Sequence, residues 1–452
     1  MDIDLINKYN VPGPRYTSYP TVPHWNVQDF RLTKWKKNLL ESYHKSNKSQ
    51  GISLYIHLPF CDSMCTFCGC NKRITKRHDV ESPYIDAVLK EWSMYLNLLD
   101  EKPVIKELHI GGGTPTFFSP ENLKSLLSCI INTSTLAENY EFSFEGHPNN
   151  TTKEHLQTLF DLGFKRVSFG VQDYNKTVQA AIHRIQPFEN VKKVTEWARE
   201  IGYTSVGHDI IYGLPFQTLT DVENTLEKTK SLAPDRIAFY SYAHVPWLKG
   251  NGQRGYSEEN LPQGIEKLMM YETGKKILKN YGYYNIGMDH FSLPTNSLYQ
   301  ALKNHKLHRN FMGYTHAKTE VMIGLGVSSI GDSWNSFYQN VKNIEEYQEL
   351  VKNNIFPIAK GHISSKEDLI IRQHILNLMC HYETKWDEET LKSKTLEKAP
   401  LKMFPLLNDG LISISKSQIK VTDKGKPFIR NICMAIDQYL GDQPQNKFSK
   451  TV

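Results

Sequence analysis

The chain has 452 residues, 39% of them hydrophobic and 23% charged, with 54 Lys and Arg against 48 Asp and Glu for a net charge of +6. That composition belongs to a globular chain rather than a disordered one, and so mild a basic excess suits an anionic ligand without arguing for nucleic acid. Seven cysteines, an odd count and a clustered one, argue against a secreted disulfide framework and for a metal or redox site in a reducing compartment.

The opening MDIDLINKYN has no basic region followed by an apolar core, so no signal peptide is expected. No run of roughly 18 apolar residues follows, so no membrane span is expected and the cytoplasm is the default location. Residues 1–50 are polar, and PGPRYTSYP at 12–20 reads as a Pro-bracketed, non-helical arm. A regular beat then begins. Strand-like runs occupy SLYIHLPF (53–60), VIKELHI (104–110), EFSFEG (141–146), KRVSFGVQ (165–172), SVGHDIIYGLP (205–215) and RIAFYSYA (236–243).

Helical patterns fill the gaps. SPENLKSLLSCII offers Ser119 as N-cap and Pro120 at the first helical position. TTKEHLQTLFDLG offers a capping box of Thr151 and Glu154, with Gly163 just past the end. TDVENTLEKTKSL offers another, Thr220 and Glu223. Six strands alternating with helices predict a parallel sheet curled into a partial or complete βα barrel, with chemistry at the C-terminal strand ends. From about residue 340 the beat stops. A helical pattern at 366–380, an alternating hairpin-like run at 409–425 and FIRNICMAIDQYL suggest a mainly helical, winged-helix-like C-terminal domain. The expected division is therefore 1–50 for the arm and lead-in, 51–340 for the barrel and 341–452 for the C-terminal domain. The tail QNKFSKTV reads as loose or as an arm.

The first strand ends directly at CDSMCTFCGC, which packs Cys61, Cys65, Cys68 and Cys70 into ten residues. Thiolates are soft ligands for zinc, copper(I) or iron–sulfur clusters. One tight loop with gaps of three and two is a poor zinc knuckle but a good wrap around one face of a [4Fe–4S] cube. Three cysteines on such a cube leave one iron open.

Cys61-x3-Cys65-x2-Cys68 resembles the signature of the radical S-adenosylmethionine (SAM) enzymes. Its embedding, YIHLPFCDSMCTFCGC with HIGGGTPT at 109–116, is similar to the oxygen-independent coproporphyrinogen III oxidases. The likeness spans nearly the whole chain: KYNVPGPRYTSYPT, SFGVQDYN, DIIYGLP, GMDHF, LHRNFMGYT and VTDKGKPFIRNICM all carry it. It implies an α/β fold with a partial (β/α)6-type radical SAM barrel. It implies a [4Fe–4S] cluster on Cys61, Cys65 and Cys68, whose open iron is chelated by SAM, with one or two SAM molecules bound. Gly112, Gly113, Thr114, Glu145, Tyr55 and Phe67 are the implied SAM contacts. Gln172, Arg184, Asp209, Ala243 and Ile330 match family positions lining the SAM region, some at a second SAM. One departure stands out: the family often has Glu-x-Asp-Pro where this chain has Glu145-Gly146-His147-Pro148.

The implied substrate, coproporphyrinogen III, bears four propionates, which call for arginine. Arg15 and Arg309 are the candidates, Arg309 also as a catalytic group, with His308 and Asp289 from the same motifs beside them. A 5′-deoxyadenosyl radical is expected to take hydrogen from the β-carbon of two propionates, each of which then loses carbon dioxide and one electron to leave a vinyl group. Cys70 is expected outside the ligand set, because a fourth thiolate would leave SAM no iron, and Gly69 permits the chain to turn away. It is assigned instead to substrate turnover. An electron donor and an acceptor are implied but not identified; neither nucleic acid nor membrane is expected as a partner, and a monomer is expected. The rival readings are a related haem chaperone, a radical SAM methyltransferase and, from the winged-helix pattern, a DNA-binding regulator.

Overall fold

A computed structural model describes residues 3–28, 30–246, 252–253, 255–386, 393–415, 417–440 and 448–451. All six expected strands form: β1 (Ile52–Leu58), β2 (Val104–Gly112), β3 (Thr135–Gly146), β4 (Phe164–Gln172), β5 (Ser205–Tyr212) and β6 (Arg236–Ser241). Each pairs in parallel with the next. On β1, Ile52, Leu54, Ile56 and Leu58 pack into the main core, while Ser53, Tyr55 and His57 point to the other face of the sheet. The helix layer meets that core with stripes at helical spacing, such as Leu123, Leu126, Leu127 and Ile130. The opposite face is polar, with Glu107, Glu141, Arg166 and Arg236 inside the curl. Burial opposes the charge of Glu141, but Arg166 and Arg236 outweigh it and bring the carboxyl down to about 2.

The sheet is wider than the beat foretold. Beyond β6 lie β7 (Tyr284–Gly287) and β8 (His290–Ser292); beside β1 lie β9 (Val321–Leu325), β10 (Ile330–Asp332), β11 (Ser336–Asn340) and β12 (Ile358–Ile363). The twelve strands run in the order β12-β11-β10-β9-β1-β2-β3-β4-β5-β6-β8-β7. These added strands are short and, β9 apart, pair antiparallel with their neighbours, so the parallel strand–helix beat did not reveal them. The expected boundary at 340 falls inside this sheet: β12 pairs with β11, and Tyr347 and Val351 join the main core.

Two helix starts are displaced from expectation. The capping box of the helix Lys153–Asp161 uses Thr152 and His155, not Thr151 and Glu154; the Thr151 hydroxyl donates instead to the His147 carbonyl at 2.9 Å. That of the helix Leu219–Ser231 uses Thr218 and Asp221, not Thr220 and Glu223. Ser119 caps Pro120–Asn132 as expected, accepting from the Asn122 N–H at 3.2 Å.

The C-terminal region has helices Lys366–His381, Lys394–Asn408 and Ile429–Met434 around a three-stranded sheet of Glu383–Lys385, Gln418–Val421 and Ile412–Ser415. The wing thus has one strand more than expected. The basic residue Arg372 is spent inward: it pairs with Asp332 and donates to the Trp334 carbonyl at 2.7 Å. The N-terminal arm is not a free appendage. Leu5, Ile6, Tyr9, Tyr16 and Tyr19 share a core with Ile371, Ile375, Leu378, Ile432 and Cys433. Nor is the described part of the tail loose: Lys450 bridges Pro12, and Thr451 donates to the Tyr9 carbonyl at 2.6 Å; residues 445–447 and 452 lie outside the described residues. Among the described residues, no helix is long and apolar enough to cross a membrane.

Candidate active site

Parallel strands bring their C-terminal ends to one side of the sheet, so the loops after β1 to β6 meet there. The cysteine loop leaves β1 and is closed at its neck by a two-residue ladder, Phe60–Cys61 beside Arg73–Ile74. Its outer turn is tied down by Thr66, whose N–H donates to the Ile182 carbonyl at 3.0 Å. Cys61 and Cys65 are buried, Cys68 is half-buried and Cys70 is exposed. Two donors face the sulfurs: the Thr114 hydroxyl lies 3.3 Å from Cys61 Sγ and Arg184 Nη1 lies 3.6 Å from Cys65 Sγ. The Cys70 thiol lies against Cys68 rather than turning away. Its S–H and its backbone N–H (3.4 Å) both donate to Cys68 Sγ, pulling the Cys68 thiol down and pushing the Cys70 thiol up. Gly69 does not adopt the left-handed backbone that a sharp reversal would use.

The glycine loop after β2 folds back over the end of β1. Gly113 N–H donates to the Leu58 carbonyl at 2.8 Å and Thr114 N–H to the Phe60 carbonyl at 2.9 Å. A Cβ on Gly113 would stand 2.6 Å from the Pro59 carbonyl oxygen, so only glycine lets these backbones touch. On Gly111 a Cβ would crowd the Glu145 carboxyl at 3.2 Å. Glu145 reaches into the strand mouth from the end of β3. Burial works against its charge, but His109 Nε2 at 3.6 Å and the Gly112 N–H hold the carboxyl below its usual range. Tyr55 stacks on His109 with centroids 6.1 Å apart, and its hydroxyl donates to His57 Nδ1 at 3.1 Å. His57 in turn donates from Nε2 to the Asn71 carbonyl at 2.8 Å.

Other expected positions gather around this mouth. Gln172 sits at φ 66° where the β4–β5 register shifts, a strained conformation for a side chain with a Cβ. Arg184 Nη2 donates to the Gly170 carbonyl at 2.9 Å. Asp209 on β5 is pushed up to about 7 by burial and by Glu145, although the Ser168 hydroxyl donates to it at 2.9 Å. The carbonyls of Phe67 and Ala243 are bridged by Gln253, each at 3.1 Å from Nε2. Ile330 packs in an apolar cluster with Trp25, Met322 and Phe337, joined by Phe311, whose ring lies 5.5 Å from that of Tyr55. His147 is half-buried and held well below its usual value, first by loss of solvent and then by Arg184, and its Nδ1 accepts from the Asn149 N–H at 3.1 Å. His109, His57 and Gln253 were missed in the sequence. His109 was findable, since strand alternation puts it on the same face as Glu107 and Gly111; Gln253 carried no signal.

A second cluster lies at the seam between the arm, the turn before β8 and the C-terminal region. Arg15 pairs with Asp289 and lies over the Tyr240 ring at 5.7 Å. Arg309 is buried, stands 4.6 Å over the Tyr314 ring, and donates from Nη2 to the Arg15 carbonyl at 3.2 Å. Among the described residues its Nε and Nη1 have no hydrogen-bond partner. Arg430 clasps the arm, donating to the carbonyls of Gly13, Pro14 (2.9 Å), Ser449 (3.3 Å) and Lys450 (2.9 Å). His308, next to Arg309 on the short strand His308–Asn310, faces away from this cluster into a separate cavity.

The donor set fits an iron–sulfur cluster. Three thiols share one loop with hydrogen-bond donors at two of the sulfurs, and among the described residues no His, Cys, Asp or Glu group closes on a single metal ion. The side-chain-free glycine loop beside the Glu145 carboxylate fits the amino-acid end of SAM. A curled parallel sheet with this loop after its first strand defines a radical SAM enzyme, and the radical SAM superfamily model matches residues 55–229. The chain is 38% identical to the oxygen-independent coproporphyrinogen III oxidase of Helicobacter pylori over 100% of this chain and 99% of that one. It is 36% identical to that of Escherichia coli, covering 100% and 98%. The solved coproporphyrinogen III oxidase from Escherichia coli, described as a radical SAM enzyme, superposes with a TM-score of 0.89 at 33% identity, covering 97% of this chain and 99% of that one. The chain therefore belongs to the oxygen-independent coproporphyrinogen III oxidase family.

Proposed function

We propose that this chain converts two propionates of coproporphyrinogen III to vinyl groups without oxygen, giving protoporphyrinogen IX for haem synthesis. The observation that carries the reading is full-length identity to oxidases of that name, joined to a three-cysteine loop at the end of the first barrel strand. When bound, the cluster and SAM supply a 5′-deoxyadenosyl radical, the agent that removes the propionate hydrogen. Cys61, Cys65 and Cys68 hold the cluster, with Thr114 and Arg184 donating to two of the sulfurs. Gly112, Gly113, Thr114 and Glu145 hold the amino-acid end of SAM, Tyr55 and Phe67 its adenosyl end. Gln172, Arg184, Asp209, Ala243 and Ile330 extend that lining.

Arg309 receives a substrate propionate through an unpartnered N–H, Nε or Nη1, as a charge-assisted hydrogen bond; the two point to different sides of the guanidinium, and Nη2 is spent on the Arg15 carbonyl. Arg15 is already spent on Asp289, so its part is to hold the arm across the seam. His308 lines the adjoining cavity and is left out of the substrate pocket. We read residues 51–363 as the catalytic unit and the arm with the C-terminal region as its cover. A monomer in the cytoplasm, served by a separate one-electron donor and acceptor, completes the reading.

Anaerobic incubation of reconstituted protein with SAM, a strong reductant and coproporphyrinogen III is the test. Methionine, 5′-deoxyadenosine and a product lighter by two carbon dioxides and four hydrogens are expected. A methylated product would make the chain a methyltransferase, and tight haem binding without SAM cleavage would make it a chaperone.

A further inference from the structure

On the opposite side of the strand His308–Asn310 from Arg309, the protein has a half-open cavity of about 420 Å³. Its lining includes His305, His308, His316, His381, Lys306 and Lys318, and no acidic residue. His308 is buried at its inner wall, while His305, Lys306 and Lys318 are exposed at the rim. The Lys318 ammonium is held over the Trp334 ring at 5.3 Å, and the His305 and His381 rings lie 5.8 Å apart. His381 Nδ1 is buried and, among the described residues, has no hydrogen-bond partner. Two acids approach from behind the lining: Glu141 lies 3.7 Å from His316 but is held by Arg166 and Arg236, and Glu383 lies near His381.

We propose that this cavity, walled by His308, His316 and His381 and rimmed by Lys306 and Lys318, binds a small multiply charged anion of the phosphate class. Three features favour that chemistry. The lining is rich in donors and free of acids, so an anion entering it meets no like charge. It contains no arginine, and so lacks the forked donor that suits a carboxylate; lysine and imidazole are point donors that a phosphate can meet from several directions. The imidazoles also do not converge on one point, as a single metal ion would require among the described residues. The site is distinct from the propionate position, because neighbouring residues on a strand face opposite ways and Arg309 faces the arm.

The experiment is titration calorimetry of the reconstituted full chain with inorganic pyrophosphate at low salt, with citrate as the carboxylate arm. Saturable one-to-one binding of pyrophosphate, weaker binding of citrate, and a loss of about tenfold in the double variant Lys318→Gln, His381→Gln are expected. Lys306→Gln with Lys318→Gln, both at the exposed rim, serves if that variant fails to fold, as judged by iron content and melting temperature. Arg309→Gln should leave pyrophosphate affinity within about twofold, which separates this site from the proposed substrate pocket. No saturation by about 5 mM pyrophosphate, tighter binding of citrate, or loss in Arg309→Gln with retention in the cavity variants would each overturn the proposal.

Discussion

The cysteine mouth and the arginine seam are built in opposite ways. At the mouth, four cysteines lie within ten residues, and the loops they meet all follow parallel strands of one sheet. At the seam, Arg15, Asp289, Arg309 and Arg430 come from four distant stretches and meet only when the arm docks on the C-terminal core. The mouth's chemistry rests on a local loop; the seam's rests on the whole chain being folded. The two should therefore fail differently, cofactor first at one and substrate first at the other.

The largest effect is expected at the mouth. Replacing Cys61, Cys65 or Cys68 by Ala should take iron from about four atoms per chain to fewer than one, with product formation undetectable. Iron analysis and visible absorbance read this directly, while seam packing, followed by the melting temperature, stays near the parent. A variant that keeps an intact, SAM-cleaving cluster would break the assignment. Cys70→Ser tests the same end more finely. It should keep iron near the parent level and still cleave SAM, yet lose most conversion of coproporphyrinogen III. Because the Cys70 thiol rests on Cys68, loss of the cluster in this variant would move Cys70 into the ligand set.

Arg309→Gln moves the comparison to the seam. A charged hydrogen bond to a propionate is lost, so product formation should fall about 10- to 100-fold with iron content and uncoupled SAM cleavage retained. Equal loss of cleavage and product would show that seam and mouth are not separable. Deleting residues 1–20 would be a poorer test, since Leu5, Ile6, Tyr9, Tyr16 and Tyr19 are buried and their loss would open the second core.

The smallest effect belongs to Asp209. Its folded value, about 7, lies above its ordinary value of 3.8, so the folded chain binds an extra proton across that interval. The stability this contributes is present at acid pH and lost as pH rises towards 7. Asp209→Asn cannot lose it. The melting temperature of the variant relative to the parent should rise between pH 5 and pH 8, by at most about 2 °C. A flat difference would mean that Asp209 titrates normally.

The same contrast explains what could be read in the sequence. The cysteine gaps, the six-strand beat and the glycine loop are local patterns, and local patterns survive in one dimension. Glu145 could be placed because it ends a strand. Asp289 and Arg15 were named, but their mutual pairing was invisible, since nothing between residues 15 and 289 encodes it. The antiparallel strands β7, β8 and β10 to β12 were missed for a related reason: they are held by pairing with the barrel's edges more than by their own alternation. The two displaced caps show the finer limit, because a threonine one or two residues from the true cap offers the same chemistry and only backbone geometry chooses between them.

Arg430 carries a consequence for the order in which the molecule is made. Its guanidinium holds carbonyls of Gly13 and Pro14 with one side and those of Ser449 and Lys450 with the other. On a ribosome the arm emerges before the barrel, and Arg430, Ser449 and Lys450 emerge after it. The arm must therefore wait through synthesis of the entire barrel before it can dock. By the end of that interval the cysteine loop and all the strands of its sheet have been made, so the mouth's chain is complete while the seam is still open.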